Sequence, residues 1–109
     1  MTIRVLLADD HSVLRDGLAA LLGAQDGMTV VAHAKDGREA VRKATELKPD
    51  VVIMDIVMPD LDGIEATRLV RKASPLTQVV ILSMYSTTEH IFRALQAGAK
   101  GYLLKESAG

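Results

Sequence analysis

Five polar residues directly follow, or end, short apolar segments of the sequence and carry side chains suited to phosphoryl chemistry. They are Asp9, Asp10, Asp55, Ser83 and Lys105. Carboxylates brought close together repel one another, and a bound divalent cation removes that repulsion. An all-oxygen ligand set selects a hard ion such as Mg²⁺. If the fold brings the five residues together, they form a phosphoryl-transfer site, where catalysis is mostly positioning and charge neutralisation.

Asp55 is the predicted nucleophile of this site. A carboxylate can attack phosphorus and form an aspartyl phosphate, and Asp55 stands alone between its apolar segment and the loop and turn at 56–63. Ser83 can donate a hydrogen bond to a phosphoryl oxygen, and Lys105 supplies a compact positive charge. A simpler interpretation, in which each residue only caps the helix or turn that follows it, suits any one of them better than all five together.

The pattern of apolar residues predicts a fold that brings separate strand ends together. Continuous apolar runs of strand length lie at 5–8, 51–54 and 79–82, and weaker strand candidates lie at 28–32 and 101–104. Runs without alternation suit strands that are buried on both faces. They therefore predict a parallel sheet covered by helices.

Each of the four segments between the predicted strands has helical periodicity. The residues that share a face are Leu14, Leu18, Leu21 and Leu22; Ala40, Ala44 and Leu47; Ala66, Leu69, Val70 and Ala73; and Ile91, Ala94 and Leu95. Asp36 with Glu39, and Ser86 with Glu89, form capping pairs. The order βαβαβαβαβ predicts a doubly wound α/β sheet of five parallel strands, with ligands bound outside the carboxyl ends of the strands.

Length and composition agree with one globular domain and exclude several classes of function. The chain has 109 residues, of which 49% are hydrophobic, a formal net charge of −1 and no cysteine. The lack of cysteine excludes disulfides, thiol catalysis and Cys-ligated zinc, and is compatible with a reducing cytosol. A near-neutral charge with one Phe, two Tyr and no Trp argues against a nucleic-acid surface. No apolar run reaches the roughly 18 residues of a transmembrane helix.

The sequence resembles the receiver domain of two-component response regulators over essentially its whole length. The motifs that carry this resemblance are Leu7–His11, Met54–Gly63, Leu82–Ser83 and Ala97–Lys105. The resemblance implies a flavodoxin-like receiver fold with strand order 2-1-3-4-5. More narrowly, the stretches at 9–18 and 82–86 are similar to the NarL/LuxR-type branch.

Carried over position by position, the resemblance implies a phosphoacceptor and a metal site. Asp55 is expected to be the phosphoacceptor. Asp10 and Asp55 are expected to bind Mg²⁺ directly, together with the backbone carbonyl of Val57. Asp9 is expected to hold the ion mainly through water.

The same resemblance implies the groups that surround the phosphoryl oxygens. Ser83 and Lys105 are expected to bind these oxygens, and Ser83 with Tyr102 to form the pair that changes position on phosphorylation. Met84 stands where many receivers have Ala or Gly, so we expect its thioether to cover part of the pocket and to slow hydrolysis. With no second histidine nearby in sequence, we assign His11 to solvent exposure or loop packing.

The function implied by the resemblance is a phosphorylation-controlled switch in the cytoplasm. A sensor histidine kinase is expected to supply the phosphoryl group, and the regulator to catalyse only its own phosphorylation and dephosphorylation. Branch members usually carry a helix-turn-helix domain after the receiver, so DNA binding is expected only of a longer parent protein. One alternative is a phosphorylation-independent docking or dimerisation module. A second, far less favoured, is a haloacid dehalogenase-type phosphatase. That family has a second Asp two residues after the nucleophile, and this sequence has Val57 at that position.

Residues 1–109 are interpreted as a receiver domain that stops before its fifth helix. Receivers continue from the fifth strand into a helix that lies beside the first. If that helix buries about four apolar side chains, its loss withholds on the order of 6 to 12 kcal/mol, whereas whole domains have only about 5 to 15 kcal/mol. We therefore expect the uncovered face to be marginally stable or to be covered by a second copy of the chain.

Overall fold

Strands and helices alternate in the predicted order βαβαβαβαβ within residues 2–85 and 87–105, which the structure, a computed structural model, describes. The strands are β1 (Ile3–Ala8), β2 (Met28–Ala34), β3 (Val51–Met54), β4 (Gln78–Ser83) and β5 (Gly101–Leu104). The helices are α1 (Ser12–Gly23), α2 (Gly37–Leu47), α3 (Gly63–Ala73) and α4 (Thr88–Gln96). No helix within these residues is long and apolar enough to cross a membrane. The segment at 106–109, where the fifth helix was expected to be missing, lies outside the described residues.

All five strands pair in parallel in the order β2-β1-β3-β4-β5, which confirms the predicted fold class. The register pairs Ala8 with Met54 and Met54 with Ile81, so that β1 and β3 end side by side and β4 extends slightly further. Right-handed crossovers that run in opposite directions along a sheet lie on opposite faces. The crossover from β1 to β2 therefore places α1 on one face, and the other three place α2, α3 and α4 on the opposite face.

The larger core lies between the sheet and the helices α2, α3 and α4. Its sheet residues are Leu6, Ala8, Val52, Met54, Val79 and Ile81, and its helical residues include Ala40, Ala44, Ile64, Ala66, Val70 and Ala94. Alanine at the helical positions allows the helix backbones to approach the sheet closely. In contrast, no residue of α1 is buried.

Three of the four helices begin with a side-chain cap. Asp36 and Asp62 accept hydrogen bonds from backbone N–H groups in the first turns of α2 and α3, at 2.8 and 2.9 Å. Thr87 does the same for α4. Ser86, which was predicted to cap α4, lies outside the described residues. At the start of α1, His11 makes no such bond.

Three leucines that were assigned to apolar helix faces are more exposed than predicted. Leu21 is 61% exposed, Leu95 48% and Leu69 37%. Helical periodicity identifies the side of a helix that faces the sheet, but it does not say whether a neighbouring element covers the edge of that side. At these three positions, the helix face predicted from periodicity is partly open to solvent.

Candidate functional site

The carboxyl ends of four strands bring the predicted site residues to one edge of the sheet. Asp9 follows β1, Asp55 follows β3, Ser83 ends β4 and Lys105 follows β5. All four are buried, although each is polar or charged. Asp10 lies beside them and is exposed. Because burying a charged group without a partner is costly, the buried charges of Asp9, Asp55 and Lys105 are expected to pair with one another.

The backbone at the strand ends fixes the two buried carboxylates in place. Asp55 donates its backbone N–H to the Ala8 carbonyl at 2.9 Å, and Asp9 donates its own to the Ala34 carbonyl at 3.0 Å. The sheet ladder thus continues one residue beyond β1 and β3. On the far side, a Cβ atom at Gly63 would overlap the carbonyl oxygen of Asp55, so only glycine allows α3 to start this close to the site.

The Lys105 ammonium group lies between the two buried carboxylates. Its Nζ is 2.9 Å from Oδ2 of Asp55 and 3.1 Å from Oδ2 of Asp9. Burial lowers the pKa of Lys105, but the hydrogen bonds and charges of Asp55 and Asp9 outweigh burial and raise it above its usual value. Lys105 is therefore held as a cation inside the site.

The surroundings of Asp55 disfavour its ionised form even with Lys105 beside it. Burial raises the pKa of Asp55, the hydrogen bond from Lys105 lowers it only in part, and the charge of Asp9 raises it again. Further positive charge near these carboxylates would favour the ionised form of Asp55.

The donor atoms at this edge fit a divalent metal ion. Ligand atoms of Asp9, Asp10, His11 and Asp55 all lie within 4.8 Å of one another. Two ligands on opposite sides of an ion with bonds of about 2.1 Å are about 4.2 Å apart. Movements of about half an ångström would therefore close the cluster around an ion.

His11 lies closer to the chemistry of the site than the sequence indicated. Its Nδ1 is 3.1 Å from Oδ1 of Asp9, 3.5 Å from Oδ1 of Asp10 and 3.4 Å from Nζ of Lys105. Its backbone N–H also donates to Oδ1 of Asp9, at 2.8 Å. The predicted exposure is confirmed, with 65% of the side chain accessible, and the structure also places the imidazole among the acidic side chains of the site. The available signal was its position directly after the acidic pair.

A cavity of about 200 Å³ opens beside Asp55. Its lining residues are His11, Asp55, Val57, Ser83, Met84, Tyr85 and Lys105. Val57 and Met84 are 52% and 72% exposed, so the cavity is bounded by two exposed apolar side chains as well as by the charged groups. All of the predicted site residues except Asp9, Asp10 and Tyr102 therefore line one cavity.

Ser83 and Tyr102 are connected through Tyr85. The buried Oγ of Ser83 accepts a hydrogen bond from the Tyr85 backbone N–H at 3.1 Å. The Tyr102 hydroxyl donates to the carbonyl oxygen of the same residue at 2.7 Å. Tyr85 was not predicted, because its role depends on its backbone and leaves no trace in residue type.

The strand order and the acidic side chains at the edge of the sheet define the class of protein. It is a flavodoxin-like α/β domain with a cluster of ligands that could hold a divalent cation. The chain belongs to the response regulator receiver domain family, whose family model matches residues 5–109. Receiver domains of this family act in two-component systems, and their general function is that of a phosphorylation-controlled regulatory switch.

The chain is similar to full-length regulators and to solved receiver structures. It is 43% identical over 108 residues to the response regulator protein VraR of Staphylococcus saprophyticus, a match that covers 99% of this chain and 52% of that protein. The chain thus spans about half the length of this relative.

Two solved structures illustrate the likeness. The receiver domain of the putative response regulator NarL from Mycobacterium tuberculosis has a TM-score of 0.92 and 34% identity, over 96% of this chain and 85% of that one. A chain of the CheX–CheY–BeF₃–Mg²⁺ complex from Borrelia burgdorferi has a TM-score of 0.89 and 28% identity, over 94% and 78%. The expected resemblance to receivers, and to the NarL/LuxR-type branch, is confirmed.

Proposed function

We propose that Asp55 accepts a phosphoryl group from a phosphohistidine of a sensor histidine kinase, with Mg²⁺ in the acidic site, and that this modification controls an output domain. The observation that carries the proposal is the position of Asp55, a buried carboxylate whose Oδ2 lies 2.9 Å from the Lys105 ammonium group. The other acidic groups and an open cavity adjoin it.

In the proposed reaction, a carboxylate oxygen of Asp55 forms a bond to phosphorus as the phosphorus–nitrogen bond of the donor breaks. The electron pair of that bond leaves with the imidazole, which takes up a proton. Hydrolysis later replaces the aspartyl oxygen with water and returns the Asp55 carboxylate and inorganic phosphate. Mg²⁺, when held by Asp9, Asp10, Asp55 and the Val57 carbonyl, supplies positive charge that neutralises the phosphoryl oxygens.

The remaining groups of the site bind and report the phosphoryl group. Lys105 already lies beside Asp55 and supplies a cation for the incoming oxygens. The hydroxyl of Ser83 accepts a bond from Tyr85 and can turn its own proton toward a phosphoryl oxygen. Because Tyr102 is bonded to the other side of Tyr85, a movement of Ser83 reaches Tyr102 through one residue.

The test compares Asp55→Asn with Asp16→Asn, which removes an exposed carboxylate of α1. Each protein is incubated with acetyl phosphate and Mg²⁺, and its intact mass is measured. We expect the wild type and Asp16→Asn to gain the mass of one phosphoryl group, and Asp55→Asn and samples with excess chelator to gain none. An unmodified wild type would contradict the proposal and favour the docking module instead.

Met84 is proposed to slow loss of the phosphoryl group by covering part of the cavity that it lines. Met84→Ala should lose phosphate several-fold faster than the wild type, since water then reaches the aspartyl phosphate more easily. Met84→Leu keeps the bulk and should behave like the wild type. Equal rates in all three proteins, measured by the decay of the phosphorylated mass, would contradict this role.

We further propose that residues 1–109 form the receiver part of a longer regulator with a helix-turn-helix output domain. This rests on the resemblance to the NarL/LuxR-type branch and on the match to about half of a longer relative. The direct test is DNA binding by the full-length protein with and without beryllofluoride, a mimic of the phosphoryl group.

The proposal also includes self-association through the face of the sheet that carries α1. Leu21 on α1 and Leu103 on β5 are 61% and 56% exposed in the described part of the chain, and covering them with a second copy would remove apolar area from water. Light scattering over a range of concentrations tests this, and a well-folded monomer at the highest concentration would contradict it.

A further inference from the structure

We propose that His11 makes the acidic site selective for late first-row transition ions such as Co²⁺, Ni²⁺ and Zn²⁺, which compete there with Mg²⁺. The inference rests on the proposed function only in taking the carboxylates of Asp9, Asp10 and Asp55 as the metal ligands. It assigns to His11 a role in the choice of metal ion at this site.

The position of the imidazole carries the inference. Nδ1 of His11 lies 3.1 and 3.5 Å from carboxylate oxygens of Asp9 and Asp10, and the imidazole offers a nitrogen to the same group of mutually close ligand atoms as Asp55. The backbone N–H of His11 donates to Oδ1 of Asp9, which ties the start of α1 to the acidic pair. The imidazole is therefore anchored at the cluster.

The environment of His11 leaves its ring free to change partner. The side chain is 65% exposed, so a small rotation toward an ion exchanges solvent and the contacts of Nδ1 with Oδ1 of Asp9, at 3.1 Å, and with Nζ of Lys105, at 3.4 Å, for the ion. Nδ1 accepts from the Lys105 ammonium group in the tautomer that carries no proton on this nitrogen, which is also the form that binds a metal ion. A metal ion bound by the same carboxylates would face the same nitrogen.

The chemistry of the donor atoms determines which ions gain from His11. Mg²⁺ binds carboxylate, carbonyl and water oxygens, and gains little from a nitrogen ligand. Imidazole suits Zn²⁺ and Ni²⁺, and affinities of nitrogen and oxygen sites rise from Mn²⁺ through Co²⁺ to Ni²⁺. The carboxylates are common to both classes of ion, so the additional preference for transition ions that a nitrogen ligand gives depends on His11.

The experiment measures Co²⁺ and Mg²⁺ binding to the wild type, His11→Gln and His90→Gln by calorimetry. His90 is the matched control, because its imidazole bonds to Thr87 and stacks on Tyr85 away from the acidic cluster. We expect His11→Gln to raise the ratio of the Co²⁺ to the Mg²⁺ dissociation constant about tenfold, a loss typical of groups that support a metal site. His90→Gln should keep the wild-type ratio.

Proton NMR of the Co²⁺-bound protein shows whether His11 binds the ion or only lies near it. Co²⁺ bound to the wild type should give a paramagnetically shifted imidazole N–H proton signal that is present in His90→Gln and absent in His11→Gln. An unchanged dissociation-constant ratio in His11→Gln, or a shifted signal that survives the substitution, would overturn the inference.

Failure of this inference and failure of the proposed function give different results. Phosphorylation of the wild type by acetyl phosphate with Mg²⁺ tests the proposed function alone. If phosphorylation occurs but the Co²⁺ to Mg²⁺ ratio does not depend on His11, only the present inference is wrong. If the ratio depends on His11 but no phosphorylation occurs, the metal selectivity stands and the phosphoacceptor role of Asp55 is wrong.

Discussion

The two faces of the sheet differ in how completely helices cover them. On the face of α2, α3 and α4, Leu6, Met54 and Ile81 are completely buried. On the face of α1, Leu7 is buried under the helix, but Leu103 at the far edge is 56% exposed in the described part of the chain. Among the described residues, the first face holds most of the packing, and on the second face α1 contacts β1 and β2.

The helices of the two faces differ in the same way. The helices α2, α3 and α4 each have a side-chain cap at the N-terminus, whereas α1 has none and carries Gly17 in its interior. Local stabilisation and burial are thus both low in α1. The difference indicates that the site is built on strand ends whose stability comes mainly from one side.

The largest effect should come from truncating a leucine on the well-packed face. Leu6→Ala leaves a cavity in the main core, and we expect a loss of about 2 to 5 kcal/mol in the free energy of unfolding. Leu21→Ala, on exposed α1, should change it by less than about 1 kcal/mol. Urea denaturation of both variants measures the difference, and equal losses would show that the two faces are equally packed.

A smaller loss of stability, with a direct effect on the site, is expected from Gly63→Ala. The new Cβ atom would overlap the Asp55 carbonyl oxygen, so the start of α3 must move, at a cost of about 1 to 3 kcal/mol. The same movement should weaken Mg²⁺ binding, which calorimetry measures. A variant with wild-type stability and wild-type Mg²⁺ affinity would show that the α3 side does not hold Asp55 in place.

The smallest effect, and one of opposite sign, is expected from Gly17→Ala. No atom lies within 4 Å of a Cβ built at this position, and alanine is favoured over glycine inside a helix by about 1 kcal/mol. We expect a stabilisation of that size and slower hydrogen exchange in α1. Destabilisation would mean that α1 is packed more tightly at Gly17 than its exposure indicates.

Much of the fold follows from the sequence because the parallel sheet leaves a strong pattern. Strands buried on both faces have continuous apolar runs. The observed bounds of β3 and β5 are the predicted ones, 51–54 and 101–104. The edge strand β2 extends to Ala34, beyond the predicted 28–32, because pairing with β1 continues it as far as the site. The exposure of Leu95 was not predictable, since it depends on what lies beside the helix.

The site was predictable in its composition and less so in its contacts. Residue types and strand ends indicated Asp55 and Lys105, whose side chains the structure places in contact. The position of His11 beside Lys105, 94 residues away in the chain, depends on the three-dimensional arrangement. Tyr85 bonds to Ser83 and Tyr102 through its backbone, which has the same atoms in nearly every residue, so residue type gives no sign of these bonds.

The contact between Lys105 and the acidic residues has a consequence for the order of folding. A chain emerging from the ribosome cannot complete the site until residue 105 is free, because Lys105 supplies the cation that Asp9 and Asp55 share. Contacts between distant parts of a chain form slowly, so the site is completed late. Ligands that bind this site in the folded chain also stabilise the whole domain by mass action, and ligand binding and folding are therefore thermodynamically linked.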